Sequence, residues 1–282
     1  MLLEGGIDKT AKYANKLGLN SVEFLEIDSP TWYHAVSDTS QAEQIKRALS
    51  VYGLTTSCYS VAVNLLEEGS ESFLKRHAEY AAALGSPFLH HTLINWLTLP
   101  PNAPSFENVF EPIVEKSLRI VDYCQRLGLI VLYEEQGLYF NGIKNFGKFF
   151  KTVKAHGNNV GVCGDMGNIL FADEKPRDFF ATYKNDIKHV HLKDYYKKRT
   201  LPAGEKETDW MRSQNGEYIK DAPFGKGVVS FIDCFRTLQE LPYNGAFSLE
   251  TLNPIKDNDW AVQYVKQAYY ADGTKKLPKR FV

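Results

Sequence analysis

The chain has 282 residues, of which 44% are hydrophobic, so it can bury a large core and has a length typical of a single (β/α) barrel. Its 33 Lys and Arg residues nearly balance its 34 Asp and Glu residues, which excludes a strong overall field for nucleic acid or an anionic membrane. Four scattered cysteines without C-x-x-C spacing, and the lack of a secretory signal or long apolar span, favour a cytoplasmic protein.

In chain order, the sequence repeats an amphipathic helix, a glycine and a strand. The helix-ending glycines are Gly18, Gly53, Gly85 and Gly128. Strands are predicted near residues 21–25, 55–61, 87–92, 129–134, 160–165, 187–192 and 246–250. This alternation predicts parallel βα units and hence an α/β fold, a (β/α)8 barrel. The eighth strand has only Met1–Gly6 available, so we expect the first strand to be short or missing.

The connection from Asp194 to Phe231 is longer than the others and contains basic, aromatic, Gly and Pro residues. Long loops in compact domains tend to be lids or binding loops, although a solvated surface excursion has a similar composition. Because this segment follows the sixth predicted strand, we expect it at the C-terminal mouth of the barrel, where barrel active sites lie.

Four predicted strands end on side chains that commonly bind metals. They are Glu134, Asp165, His191 and Glu250. Side chains alternate between the faces of a strand, so Asp165 shares a face with Gly161 and Cys163, whereas Val160 and Val162 take the other. The same parity separates the other three from apolar residues that would face covering helices. We therefore expect three carboxylates and one imidazole to converge.

Such convergence is unfavourable without a cation, because buried like charges repel and lose hydration. Oxygen ligands with one imidazole suit a divalent metal, for which we favour Mn or Mg over Co or Zn. Glu135 is a weaker candidate than Glu134, since a shift of one residue reverses its face. Cys163 is interpreted as a small buried hydrophobe and is left out of the site.

These residues resemble the xylose isomerase-like TIM barrel family, which contains sugar isomerases, epimerases, dehydratases and the endonuclease IV branch. The resemblance covers most of the chain, from about Gly18 to Glu250. It rests on Gly128 with Glu134 six residues later, Asp165-Met166-Gly167-Asn168, His189-Val190-His191-Leu192-Lys193-Asp194, Pro223-Phe224-Gly225-Lys226-Gly227 and Ser248-Leu249-Glu250-Thr251.

The resemblance implies a single domain over residues 1–282 whose metal ligands are the four residues already reached by parity. It also implies that Glu134 and Glu250 are the catalytic acid-base pair, one on each face of a bound sugar. Asn168 stands where many relatives have a His that touches substrate, so a substrate contact is expected there. The expected partner is a small sugar, sugar phosphate or polyol derivative, and self-association into a homo-oligomer is left open.

Four functions are compared. The first is a metal-dependent isomerase or epimerase acting through an enediolate, and the second is a dehydratase of the inosose or dehydroshikimate type, which begins with the same proton abstraction. An endonuclease IV-like hydrolase is disfavoured because Asn168 and Pro223 replace expected histidine ligands. A non-catalytic sugar-binding protein is disfavoured by the retained glutamates.

Further substrate contacts are predicted near the barrel mouth. Lys193 is expected either to stabilise an oxyanion or to pair with Asp194. Glu23 is expected to bind a sugar hydroxyl, and at most one of His90 and His91 can point inward, with His91 taken as the candidate. Aromatic side chains in the loops are expected either to line the sugar or to anchor those loops. They are Trp32, Tyr33 and Trp96, with His34 beside the first two.

Overall fold

The computed structural model describes residues 6–29, 34–97, 99–250 and 254–271, with side chains in the last range from residue 258 onward. Helices cover the outside of a parallel sheet. They are α1 Gly6–Lys16, α2 Thr39–Val51, α3 Ser70–Leu84, α4 Phe106–Arg126, α5 Ile143–Lys154, α6 Pro176–Tyr183, α7 Phe231–Gln239 and α8 Pro254–Tyr270. No helix in the described ranges is both long and apolar enough to cross a lipid bilayer.

Within the described ranges, seven parallel strands form a nearly closed barrel in the order β1-β2-β3-β4-β5-β6-β10. They are β1 Ser21–Ile27, β2 Thr55–Ala62, β3 Phe88–His91, β4 Ile130–Tyr133, β5 Val160–Asp165, β6 Ile187–Leu192 and β10 Ala246–Leu249. The predicted α/β barrel and its seven clear strands are confirmed. Of the segment proposed for an eighth strand, Gly6 begins α1 and residues 1–5 lie outside the described residues.

The predicted helix-ending glycines all adopt positive φ values, between 69° and 76°. They are Gly18, Gly53, Gly85 and Gly128. At Gly85 the backbone is left-handed and its N–H closes the last turn of α3. A glycine at this position lets the chain turn directly from each helix into the next strand.

The two faces of the strands are buried in different surroundings. Val131, Val162 and Val190 pack with the helices in the main apolar core. Leu132 and Cys163 belong instead to a small cluster inside the barrel, together with Cys58. This separation matches the alternation predicted from the sequence and directs the side chains that continue the inner face toward the barrel mouth.

The long connection after β6 forms a small antiparallel sheet of its own, in the order β7-β9-β8. These strands are β7 Tyr195–Lys198, β8 Met211–Arg212 and β9 Tyr218–Asp221. Lys197 donates to Asp173 Oδ1 at 2.5 Å, and the backbone N–H of Asn215 donates to Asp173 Oδ2 at 2.7 Å. The small sheet is thus anchored to the loop that follows β5.

Candidate active site

The structure brings the four predicted metal ligands together at the C-terminal end of the barrel. Glu134 and Glu250 directly follow β4 and β10, Asp165 ends β5, and His191 lies one residue before the end of β6. His191 Nδ1 lies 3.5 Å from Glu134 Oε2 and 3.4 Å from Glu250 Oε2. Ligand atoms of Asp165, His191 and Glu250 all lie within 4.8 Å of one another. The functional roles of these residues stay predictions.

The ammonium group of Lys193 lies among the three carboxylates. Its Nζ is 3.0 Å from Glu250 Oε2, 3.3 Å from Asp165 Oδ2 and 4.0 Å from Glu134 Oε1. Burial alone would lower the pKa of Lys193, but the carboxylates outweigh it and raise that pKa well above its usual value. A partly buried cation is therefore in place to stabilise negative charge on a bound oxygen.

Asp194 does not pair with Lys193 and instead binds backbone amides. Its Oδ2 accepts hydrogen bonds from the N–H groups of Gly225 and Gly227, both at 2.9 Å, and its Oδ1 accepts from Val229 at 3.2 Å. A Cβ on Gly227 would lie 2.1 Å from Asp194 Oδ1, so the loop can approach this closely only with glycine there. Of the two interpretations of Lys193, the geometry supports contact with the carboxylate cluster.

The loop after β5 orients Asp165. Its Oδ1 accepts hydrogen bonds from the N–H groups of Gly167 at 2.6 Å and Asn168 at 2.7 Å, whereas its Oδ2 makes no hydrogen bond within the described chain. Its own N–H donates to Glu135 Oε1 at 3.2 Å. Burial raises the pKa of Asp165 to about 7, although Lys193 opposes the shift. One carboxylate oxygen is thus fixed and the other is directed into the cluster.

Glu134 is deeply buried and engaged through both oxygens. Asn168 Nδ2 donates to Oε1, while His90 Nε2 lies 3.1 Å from Oε2. Tyr195 from the small sheet donates in turn to Asn168 Oδ1 at 3.2 Å. Burial alone would raise the pKa of Glu134, but Lys193 and His191 hold it well below its usual range. Asn168, predicted as a substrate contact, therefore lies against Glu134 and links it to the small sheet.

Glu23 from β1 reaches across the barrel interior to β6. Its Oε1 lies 2.9 Å from His191 Nε2 and its Oε2 lies 2.9 Å from His189 Nε2, and Ser60 Oγ also donates to it. Burial alone would raise the pKa of Glu23, but the two histidines hold it well below its usual value. An ionised Glu23 accepts a hydrogen bond from His191 Nε2–H and leaves Nδ1 directed at the carboxylates, as carboxylates that orient metal-binding histidines do.

His90, rather than the sequence candidate His91, points into the cluster. His90 is in register with Leu132 on the inner face of β4, and its Nδ1 lies 2.9 Å from Ser60 Oγ. His91 lies behind the sheet, where its ring packs edge-on against Tyr133 at 5.2 Å. Burial lowers the pKa of His91 to about 4. The structure therefore does not bring His91 to the site.

The aromatic candidates contact residues other than those of the cluster, or lie outside the described residues. Trp96 packs against Tyr139 with ring centroids 6.2 Å apart, and its carbonyl accepts a hydrogen bond from a neighbouring loop. His34 Nδ1 lies 2.8 Å from Glu26 Oε2 on the outer face of β1. Trp32 and Tyr33 lie outside the described residues. The geometry assigns anchoring contacts to Trp96 and His34.

The cluster fits a divalent metal ion. Asp165 Oδ2 and His191 Nδ1 are buried and make no hydrogen bond in the described part of the chain, although polar groups inside proteins normally have partners. Both atoms point to the region bordered by the carboxylates of Glu134 and Glu250. Three carboxylates also outnumber the positive charges of Lys193 and of His191, whose pKa is lowered by burial but raised well above its usual value by its acidic neighbours. The donor set accordingly suits a cation and does not select one metal.

The chain belongs to the xylose isomerase-like TIM barrel family, whose model matches residues 11–268. A curated inosose dehydratase from Lacticaseibacillus casei is 24% identical over 226 residues, which cover 76% of this chain and 73% of the relative. A second, from Bacillus anthracis, is 26% identical over 66% of this chain and 63% of the relative.

Solved structures share the fold at lower identity. A xylose isomerase domain protein from Planctomyces limnophilus is 14% identical with a TM-score of 0.73, and the alignment covers 93% of this chain and 92% of that one. A xylose isomerase-like TIM barrel protein from Mycobacterium smegmatis, solved in complex with magnesium, is 18% identical with a TM-score of 0.67 and coverage of 93% and 89%. These structures confirm the fold, whereas the family model confirms the predicted family, and with the curated dehydratase relatives it identifies the protein as an enzyme, as predicted.

Some residues of the cluster were not predicted from the sequence. His189 shares the inner face with His191 by parity, yet nothing in the sequence indicates that Glu23 meets both. Ser60 lies on a strand with buried side chains on both faces, so no alternation marks it. Cys163 carries the strongest missed signal, because it shares parity with Asp165 and its thiol lies with His90, Glu134 and His191.

Proposed function

We propose that the protein is a divalent-metal-dependent dehydratase of a polyhydroxylated ketone of the inosose type. The observation that carries this proposal is the difference between its two glutamates. The Glu250 side chain is 39% exposed at the barrel mouth, whereas the Glu134 side chain is 2% exposed and engaged by Asn168 and His90. Elimination of water requires one accessible base beside a carbonyl. The curated dehydratase relatives support the same choice.

In this proposal Glu250 removes the proton from the carbon next to the substrate carbonyl, and the hydroxyl group on the following carbon leaves. The protonated Glu250 then returns a proton to the departing hydroxide, which leaves as water. Lys193, 3.0 Å from Glu250 Oε2, stabilises the negative charge that develops on the substrate oxygen. A bound divalent ion would supply further positive charge at the carbonyl oxygen, held by Glu134, Asp165, His191 and Glu250.

An isomerase or epimerase of a small sugar is the second candidate. One observation favours it: the carboxylates of Glu134 and Glu250 lie at nearly equal distances, 3.5 and 3.4 Å, from His191 Nδ1, and so border one space. In that reaction the two glutamates would exchange protons with opposite faces of the substrate, as the family resemblance implies.

The test is incubation of the Mn²⁺- or Mg²⁺-loaded enzyme with inososes, ketoses and ketose phosphates in deuterated water. A dehydratase gives a product lighter by one water with an ultraviolet-absorbing conjugated carbonyl. An epimerase or isomerase gives a product that has the same elemental composition as the substrate, apart from deuterium incorporated from the solvent. Exchange without loss of water would overturn the dehydratase proposal in favour of the second candidate.

Variants test the assigned base. Glu250→Gln should lower kcat by about 100-fold or more, the usual contribution of a general base. Glu240→Gln is the matched control, because Glu240 forms an exposed surface pair with Lys184 far from the chemistry. Full turnover by Glu250→Gln would show that another group removes the proton.

A further inference from the structure

A second set of donor atoms extends further into the barrel than Asp165 and Glu250. It consists of His90, Glu134, Cys163 and His191, each offering one ligand atom, and all four atoms lie within 4.8 Å of one another. Cys163 precedes Asp165 by two residues on the inner face of β5, which places its sulfur on the inward side of the carboxylate cluster. All four residues are buried.

Both imidazoles of this inner set have one nitrogen held by another group and one left over. His90 Nδ1 contacts Ser60 Oγ at 2.9 Å, and His191 Nε2 contacts Glu23 Oε1 at 2.9 Å. The remaining atoms, His90 Nε2 and His191 Nδ1, are buried and face members of the same donor set, since they lie 3.1 and 3.5 Å from Glu134 Oε2. Metal-binding histidines have this arrangement, in which a hydrogen bond to one nitrogen fixes the ring and the other nitrogen is aimed at the ion.

We propose that His90, Glu134, Cys163 and His191 form an inner metal position that takes a thiophilic divalent ion such as Zn²⁺ or Co²⁺. Two imidazoles, a thiolate and a carboxylate are a four-coordinate donor set typical of zinc, whereas the oxygen-rich outer set suits Mn²⁺ or Mg²⁺. Binding converts the Cys163 thiol to a thiolate, and its proton is released to solvent.

The inner and outer positions exclude each other. His191 Nδ1 belongs to both sets, because its Nε2 is held by Glu23, and one nitrogen lone pair binds one ion. A thiophilic ion in the inner position therefore displaces the ion that the oxygen-rich ligands hold. This inference concerns which ion binds and where, so it does not depend on the reaction proposed above.

Cobalt spectroscopy on the purified full chain tests the proposal. One equivalent of Co²⁺ should produce the near-ultraviolet absorption band of a thiolate-to-cobalt bond. The band should disappear in Cys163→Ala and persist in Cys58→Ala, the matched control, since Cys58 is a buried thiol of the same interior cluster but lies outside the donor set. A persistent band in Cys163→Ala, or its loss in Cys58→Ala alone, would overturn the assignment.

Two measurements keep the proposal testable if Cys163→Ala folds poorly. X-ray absorption of the Zn²⁺-loaded wild-type enzyme should show one Zn–S distance of about 2.3 Å. Competition titration should show that His90→Asn weakens Zn²⁺ binding by at least about 10-fold. Removing a group that merely hydrogen-bonds a metal ligand already costs about 10–100-fold in affinity, so losing a ligand should cost no less. Coordination by oxygen and nitrogen alone would refute the inner position, whatever the enzyme's activity proves to be.

Discussion

Replacement of Glu23 by Gln tests how the inner wall of the barrel prepares His191. In the wild type, one ionised carboxylate faces the Nε2 atoms of His191 and His189, each at 2.9 Å. A glutamine side chain has one acceptor oxygen and one donor NH₂ group, so it can accept from only one of the two rings and presents N–H to the other. The His191 tautomer that leaves Nδ1 free should therefore lose its preference.

The expected loss follows from the two contacts. A hydrogen bond to a charged acceptor contributes about 1.5–3 kcal/mol, and one to a neutral acceptor contributes about 0.5–1.5 kcal/mol. Replacing the carboxylate by the amide oxygen of glutamine should therefore weaken the hydrogen bond that orients His191 by roughly 1–1.5 kcal/mol. This corresponds to an approximately 10-fold weaker affinity for Mn²⁺. Titration followed by electron paramagnetic resonance of free Mn²⁺ measures the change, and nitrogen-15 NMR of the diamagnetic Mg²⁺-loaded enzyme measures the His191 tautomer directly.

Glu26→Gln is the matched control for this substitution. Glu26 is a fully buried carboxylate on the opposite face of the same strand and accepts from His34 Nδ1 at 2.8 Å and the N–H of Ala35 at 3.0 Å. Its loss should reduce stability without changing Mn²⁺ affinity. If Glu23→Gln binds Mn²⁺ as tightly as the wild type and keeps the same His191 tautomer, the proposed positioning role is wrong.

Three further predictions follow from the same geometry. Because Asp165 has a pKa of about 7 and must ionise to bind a cation, Mn²⁺ affinity should fall as the pH decreases below about 7, and Asp165→Asn should abolish this part of the pH dependence in titrations. The pKa of His91 is about 4 in the folded protein against an ordinary 6.5, so between these pH values the unfolded state binds more protons and stability is lost as the pH falls. In urea unfolding, this residue should make the protein about 2 kcal/mol less stable at pH 5 than at pH 7.5. The free energy of unfolding of His91→Gln should depend correspondingly less on pH. Gly227→Ala should lower the free energy of unfolding by about 1–3 kcal/mol because its Cβ would meet Asp194, whereas Gly157→Ala, which meets nothing within 4 Å, should be neutral; equal stabilities would refute the packing argument.

The barrel and the convergence of its strand ends could be predicted because two strong local signals agree. Helix-ending glycines mark where each helix gives way to a strand, and alternation along strands such as Val160–Asp165 separates the inner from the outer face. Parallel strands then bring their carboxyl ends to one edge without any knowledge of tertiary contacts.

Other parts of the site left no such signal. The strand Phe88–His91 has apolar side chains on both faces, so the choice between His90 and His91 depends on register with neighbouring strands rather than on pattern. The contact of Glu23 with β6 crosses the barrel interior and joins residues 168 positions apart in the chain. The small sheet β7-β9-β8 has partly exposed strands, whose polar composition resembles that of a loop.

Asp194 closes the base of the long insertion that follows β6. Its carbonyl accepts from the N–H of Ala222 at 2.9 Å and its side chain holds Gly225, Gly227 and Val229, so the two ends of the insertion meet beside Lys193. With the ends joined, the cost of lengthening or replacing the intervening chain grows only slowly with its length. The residues between 196 and 221 can therefore change in length and sequence to suit new substrates, while Lys193, beside the joined ends of the insertion, keeps its position.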